Sequence, residues 1–298
     1  MTKYIIYLFT LISVAACNTS TQSEPSIYEG TVNIAVDESL KPIMEAQIAA
    51  YITHYPKAKF IPTYTSEQKA INDLFKDSVT IAVTTRAFNE NEMKVLKSRE
   101  IRYIETRMAI DAVVLIVNKN SSDSTLTLEQ IKTYLTDKNS KKKLVFDRAN
   151  SSNLSILMDK LNIKEINTDN IFSADGNLNV IESVEKNPNL IGFIGYNWIS
   201  DVNDKASMDR KNRIKVLGVA VNKDSNAYKP TFKNLKARNY PLERFIFLHS
   251  MKKDWGVENG FIRFSCSKIG QLVTEKMELV PFYIIPKEFI LNTKPIGE

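Results

Sequence analysis

Residues 144–161, LVFDRANSSNLSILMDKL, join a short apolar run to a polar turn and then to a stretch in which Leu154, Leu157, Met158 and Leu161 recur at helical spacing. Ser151, Ser152 and Asn153 fall where a helix begins. The first N–H groups of a helix have no partner within it, and its dipole favours negative charge at that end. Small hydroxyl and amide side chains placed there can hold a compact anion. They can equally do no more than cap the helix, a common role for Ser and Asn.

Three further turns of the same kind occur in the first ninety residues. Residues 31–36, TVNIAV, lead into Asp37-Glu38-Ser39 and a helical segment with Leu40, Met44, Ile48 and Tyr51 on one face and Pro42 in its first turn. Residues 59–64 lead into Thr65 and Ser66; Thr65 with Gln68 reads as a capping box ahead of Ala70, Ile71, Leu74 and Phe75. Residues 79–83, VTIAV, lead into Thr84-Thr85-Arg86, with Asn89 and Glu92 opening the next helix.

The elements that would position these turns follow from the alternation. Repeated strand, turn and helix predicts parallel strands whose carboxyl ends share one edge, where open α/β sheets bind ligands. Further strands are expected at 101–105, 110–118, 170–172, 190–194 and 214–221, and helices at 126–135 and 178–186. Residues 199–213 read as a polar loop, 243–248 as a run returning to the first sheet, 257–266 and 268–276 as helices, and 279–285 as extended. Gly192 and Gly195 in LIGFIG are placed to relieve close backbone packing, and Trp198 and Trp255 to pack.

Composition narrows the chemistry. The chain has 298 residues with 43% hydrophobic content, enough for a substantial core. A formal charge of +6 is dispersed, with residues 141–143 as its densest basic run, and does not call for nucleic acid. The nine glycines form no GxxxxGK or GxGxxG pattern. His54 and His249 are distant in sequence and have no carboxylate or cysteine at ligand spacing, so neither a metal nor a cofactor is expected. GxSxG and HExxH patterns are absent, which weighs against an enzyme.

Residues 1–17 resemble a bacterial lipoprotein signal: a short basic start, an apolar run too short to span a bilayer, and Val14-Ala15-Ala16-Cys17. The resemblance implies cleavage before Cys17 and lipid on its thiol. Residues 18–29 then read as a flexible tether. Cys266 is the other cysteine and reads as a small core residue.

The succession AIDAVVLIVN, LTLEQIKTYLTDK, FDRANSSN, LIGFIGYNWIS, YPLERFIFL and FIRFSCSKIGQLVTEKMELVPF resembles the PstS-type phosphate-binding proteins of ABC transporters, from about residue 31 onward. The resemblance implies a two-lobed α/β periplasmic-binding-protein fold of type II. Lobe one would be 30–111 with 241–298, and lobe two 112–240. It implies a monomeric, lipid-anchored protein of the periplasm or cell envelope that holds dehydrated inorganic phosphate between the lobes and delivers it to a membrane permease. Carried over residue by residue, it points to Ser39, Thr65, Ser66, Thr84, Thr85, Arg86, Ser151, Ser152 and Asn153. Arg148 lies one position out of register with the family's arginine, and Asn150-Ser151-Ser152-Asn153 stands where a Gly-Ser-Gly-Thr helix start is usual. A proton acceptor for phosphate would come from Asp37, Glu38 or Asp111. The alternatives are an oxyanion sensor or a binder of another oxyanion, a surface lipoprotein phosphatase, and a lipoprotein that kept the fold and lost the ligand.

Overall fold

The computed structural model describes residues 26–252 and 255–283. The expected signal, the lipidation residue Cys17 and most of the tether lie outside them. Strands β1 (Glu29–Asp37), β2 (Lys57–Thr65) and β3 (Ile81–Thr84) alternate with helices α1 (Lys41–His54), α2 (Glu67–Phe75) and α3 (Glu90–Ser98). Strand β4 (Thr106–Asn118) follows. Beyond it come β5 (Thr125–Thr127), α4 (Leu128–Thr136), β6 (Lys143–Phe146), α5 (Ser152–Lys160), β7 (Ile171–Ser173), α6 (Asn177–Lys186) and β8 (Leu190–Gly195). The chain continues through α7 (Lys205–Asn212), β9 (Ile214–Val216), β10 (Gly218–Ala220), α8 (Phe232–Lys236) and β11 (Glu243–His249). It ends in α9 (Val257–Cys266), α10 (Lys268–Lys276) and β12 (Val280–Pro281).

Period-two burial makes β1 the first organising strand. Val32, Ile34 and Val36 join the main core, while Ala35 faces a smaller one with Ala70, Ile71, Leu74 and Leu96 from α2 and α3. Both faces of β1 are covered, as its apolar run requires. It pairs in parallel with β2 along nine residues and with β3 on its other side.

Strand β4 is the second organiser and is buried from Met108 to Val117. Its first half pairs antiparallel with β11 and β12, and its second half with β8 and β9. The partner changes between Ala112 and Val113. There the Val113 N–H donates to the Leu242 carbonyl at 2.9 Å and the Tyr240 hydroxyl to the Val113 carbonyl at 2.8 Å. The sheet order is β2-β1-β3-β11-β4-β8-β6-β7, so one long strand joins two α/β halves.

Several expectations need correction. Residues 101–105 form no strand: charges alternate with Ile101, Tyr103 and Ile104, and Ile104 is largely exposed. Residues 199–213 are not all loop, because α7 lies among them; it is polar all round, so it has no hydrophobic period, and the Asp204 carboxylate caps it by accepting from Ala206 N and Ser207 N. Residues 214–221 split at Leu217, β9 pairing with β4 and β10 with β5. Ser66, not Thr65, caps α2, accepting from Lys69 N. Trp255 is exposed, with Arg263 over its ring. The capping box at Asn89/Glu92 forms as the residue spacing predicts, and a second one, Thr127 with Gln130, opens α4.

Candidate functional site

The first turn follows directly from β1. Asp37 ends the strand and accepts a hydrogen bond from Ser39 N at 2.8 Å, which folds residues 38–40 into a single 3-10 turn before α1. Ser39 is fully buried. Its carbonyl accepts from Asn197 Nδ2 at 2.8 Å and from Trp198 Nε1 at 3.1 Å, both from the turn after β8. Its hydroxyl lies 3.3 Å from that of Ser152 at the start of α5. Helix starts from both halves of the molecule therefore meet at one point.

The third turn follows β3, the parallel neighbour of β1. Thr85 is buried, and its N–H and hydroxyl both donate to Glu67 Oε1, at 2.6 and 2.7 Å. Glu67 is the first residue of α2, immediately after the Ser66 cap. Arg86 is held by Glu92 through two bonds of 2.8 Å and faces Glu67 Oε2 at 3.6 Å. Thr84 does not point outward: its hydroxyl donates to the Arg86 carbonyl at 2.7 Å and lies 2.7 Å from His249 Nε2. With that proton committed, His249 Nε2–H donates to Thr84 and Nδ1 accepts from the Tyr103 hydroxyl at 2.6 Å. Burial pushes His249 down to about 4, so the ring is neutral.

At the start of α5, Asp147 is buried and accepts from the Ser151 hydroxyl and from Asn153 Nδ2, the latter at 2.8 Å. Burial, reinforced by the charge of Asp37, raises its carboxyl above the usual range. The same two causes raise Glu67. Glu38 reaches from the first turn to the start of α6, accepting from Asn177 N at 3.2 Å and Asn177 Nδ2 at 2.5 Å. Burial, opposed by the Asn177 amide and aided by the Asp147 charge, pushes Glu38 up to about 7. Gly176 precedes that helix start at φ 94°, and a Cβ there would lie 2.9 Å from Glu38 Oε1.

The structure thus brings Ser39, Ser151, Ser152 and Asn153 into one buried junction, with Thr85 buried after the neighbouring strand β3 and Ser66 capping the helix that carries Glu67. It sends others elsewhere. Arg148 extends toward Asp175 at 3.9 Å and is about a third exposed. Asp111 is fully buried, and its oxygens take Arg244 Nε and Nη2 at 2.9 and 2.7 Å and Asn197 N and Nδ2 at 3.1 Å. Arg244 Nη1 continues to Asn153 Oδ1 at 2.8 Å, so this pair buttresses the α5 start. Arg244, Glu67, Asp147, Asn177, Asn197 and His249 were not expected from sequence as parts of the site. Asp147 carried a usable signal, lying four residues before Ser151 in the same turn. No group of three or more His, Cys, Asp or Glu side chains among the described residues is arranged to hold a metal ion.

A sequence model described as a PBP superfamily domain matches residues 19–268. This chain belongs to the PBP superfamily. Among curated proteins, the "Phosphate-binding protein PstS" of Staphylococcus haemolyticus is 27% identical over 254 residues, covering 78% of this chain and 75% of that one. Among solved structures, a phosphate ABC transporter substrate-binding protein from Clostridium perfringens with bound phosphate aligns with a TM-score of 0.72 at 21% identity. The alignment covers 85% of this chain and all of that one. An ABC-type phosphate transport receptor from Vibrio cholerae aligns with a TM-score of 0.62 at 19% identity, over 85% of this chain and 100% of that one. At such identities the structures establish the two-lobed PBP fold, and the ligand must be argued from the side chains.

Proposed function

We propose that this PBP superfamily member is a solute-binding protein that captures inorganic phosphate between its two halves and presents it to an ABC permease, with no covalent chemistry of its own. The observation that carries this reading is the meeting of Ser39 and Ser152, hydroxyls at two helix starts 113 residues apart, beside the Ser151 turn. Several helix starts directed at one buried point suit a compact oxyanion. The PstS relatives and the phosphate-bound C. perfringens structure support the same ligand class. The division into lobes at 111/112 and 240/241 goes with the change of partner along β4. Lipid attachment at Cys17, from the sequence pattern, would hold the protein at a membrane surface through that anchor alone; no helix among the described residues is long and apolar enough to cross a bilayer. Hinge closure about the crossover would be the functional motion.

Calorimetric titration of the purified protein with inorganic phosphate at about pH 6 tests the proposal, acidity being chosen because the Glu38 carboxyl, pushed up to about 7, is then protonated. Saturable binding is expected, with a loss of about tenfold or more when Ser151→Ala and Ser152→Ala are combined, each removing one hydrogen bond to a charged group. Absence of binding at millimolar phosphate would overturn it.

A further inference from the structure

A cavity of about 430 Å³, a volume usual for small-ligand pockets, opens beside β9, and none of the junction serines lines it. Its floor is apolar, with Ile199 and Ile214 buried in it. Four lysines surround that floor: Lys119 after β4, Lys211 of α7, Lys215 of β9 and Lys229 ahead of α8. The antiparallel pairing of β9 with β4 brings the first and third of these segments side by side. No acidic residue lines the cavity; Glu278 and Asp111, whose charges reach Tyr196, are not part of its wall. Lys215 Nζ donates to the Ser121 carbonyl at 2.9 Å, and the other three lysines form no ion pair with the described residues. Like charges gathered in a hollow raise the local concentration of a negative guest. Tyr196 supplies an independent sign of one. It is 5% exposed and lines the cavity, yet its hydroxyl has no hydrogen-bond partner among the described residues. A buried hydroxyl left so is costly, and an acceptor brought by a ligand would relieve it.

We infer that this cavity is a second ligand site, built for a small organic anion with an apolar body and a carboxylate head. The body covers Ile199 and Ile214, the head faces the lysines, and the Tyr196 hydroxyl donates to one of its oxygens. A bare inorganic ion has nothing to lay on the apolar floor and keeps its water among strongly hydrated ammonium groups. A flat partner surface would reach the lysines without filling the hollow. The inference does not depend on which ion occupies the junction. The two sites are nevertheless joined by one turn: Tyr196 and Ile199 flank Asn197 and Trp198, whose side chains hold the Ser39 carbonyl.

The probe is 2-naphthoate, titrated into the intact protein by calorimetry, with 2-naphthalenemethanol as the same body without charge and acetate as the same head without a body. Naphthoate is expected to saturate one site with half-saturation below about 1 mM, a modest demand for a ligand of its size. The alcohol should bind at least about tenfold more weakly, acetate should not compete, and naphthoate affinity should fall as salt is raised. Lys119→Gln combined with Lys211→Gln should weaken naphthoate by about fivefold or more, two partly exposed charges being removed. Tyr196→Phe should melt with the wild type, since the hydroxyl it removes has no partner, and bind naphthoate about threefold or more weakly, the worth of one hydrogen bond. The Ser151→Ala, Ser152→Ala double variant should bind naphthoate as the wild type does. Equal affinity for the alcohol, unchanged affinity in both the lysine pair and Tyr196→Phe, or loss of naphthoate in the double serine variant would overturn the inference and leave the phosphate reading standing. That reading falls only on its own test, the absence of phosphate binding.

Discussion

Two unit charges about 6 Å apart repel by about 3 kcal/mol at an effective dielectric of about 20, more than a typical net hydrogen bond contributes. Replacing one inward-facing side chain in a turn by a carboxylate therefore outweighs several well-placed hydroxyls. Asp147 is such a residue, and Ser151 and Asn153 are turned toward it. Sequence reading found the hydroxyls because helix starts are local, whereas which of Asp147 and Arg148 faces inward depends on the path out of β6. The titrating residues give opposing dependences of stability on pH. Glu38 is raised from 4.5 to about 7, so its contribution is complete below the lower value and lost as pH rises through about 7. His249 is lowered from 6.5 to about 4, so its contribution is complete above the upper value and lost as pH falls through about 4. The unliganded protein should melt highest in the mildly acidic interval between, as thermal scans across pH would show. Glu38→Gln should weaken the alkaline decline and leave the acidic one.

At the scale of elements, two glycines of β8 separate packing from positioning. A Cβ on Gly192 would lie 2.7 Å from Val184 and 2.8 Å from Val180 of α6, so Gly192→Ala should destabilise the fold by about 1–3 kcal/mol in urea denaturation. Phosphate affinity of the folded fraction should hardly change. A Cβ on Gly195 would lie 2.6 Å from the Ser39 carbonyl and 2.6 Å from Arg244 Nη2. Gly195→Ala should therefore push the first turn from the α5 start and weaken phosphate binding at least about tenfold, roughly the worth of one charged hydrogen bond. Both glycines could be read as close-packing positions from LIGFIG alone, but their neighbours could not. Elements with an apolar period, such as β1 and α2, were legible from sequence, whereas α7 was hidden because Ser207 is its one buried residue. The strand expected at 101–105 lacked a partner to bury it, a fact no local pattern contains.

Across the whole molecule, the junction is held by direct contacts between the halves. Asp111 on β4 and Arg244 on β11 form a buried pair that reaches Asn153 in the other half. Removing one member leaves a buried charge without its counterion, so Arg244→Met should cost about 3–5 kcal/mol in urea denaturation. Replacing both members, as in Asp111→Leu with Arg244→Met, should cost less than that single change.

Closure can be followed through Trp198. Its indole donates to the Ser39 carbonyl and is buried, whereas Trp255, the other of two tryptophans, is exposed. Trp255→Phe thus leaves one emitter at the meeting of the halves. Glu38 bridges the same junction to Asn177, and ionising it in a buried site works against closure. Emission from the variant should be blue at about pH 6 without ligand and move to the red by about pH 8, as the junction opens and water reaches the indole. Phosphate should reverse the shift, and Glu38→Gln should keep the unliganded protein closed throughout the range. An emission maximum independent of pH and phosphate would mean that the Ser39 turn stays seated while the rest of the molecule moves.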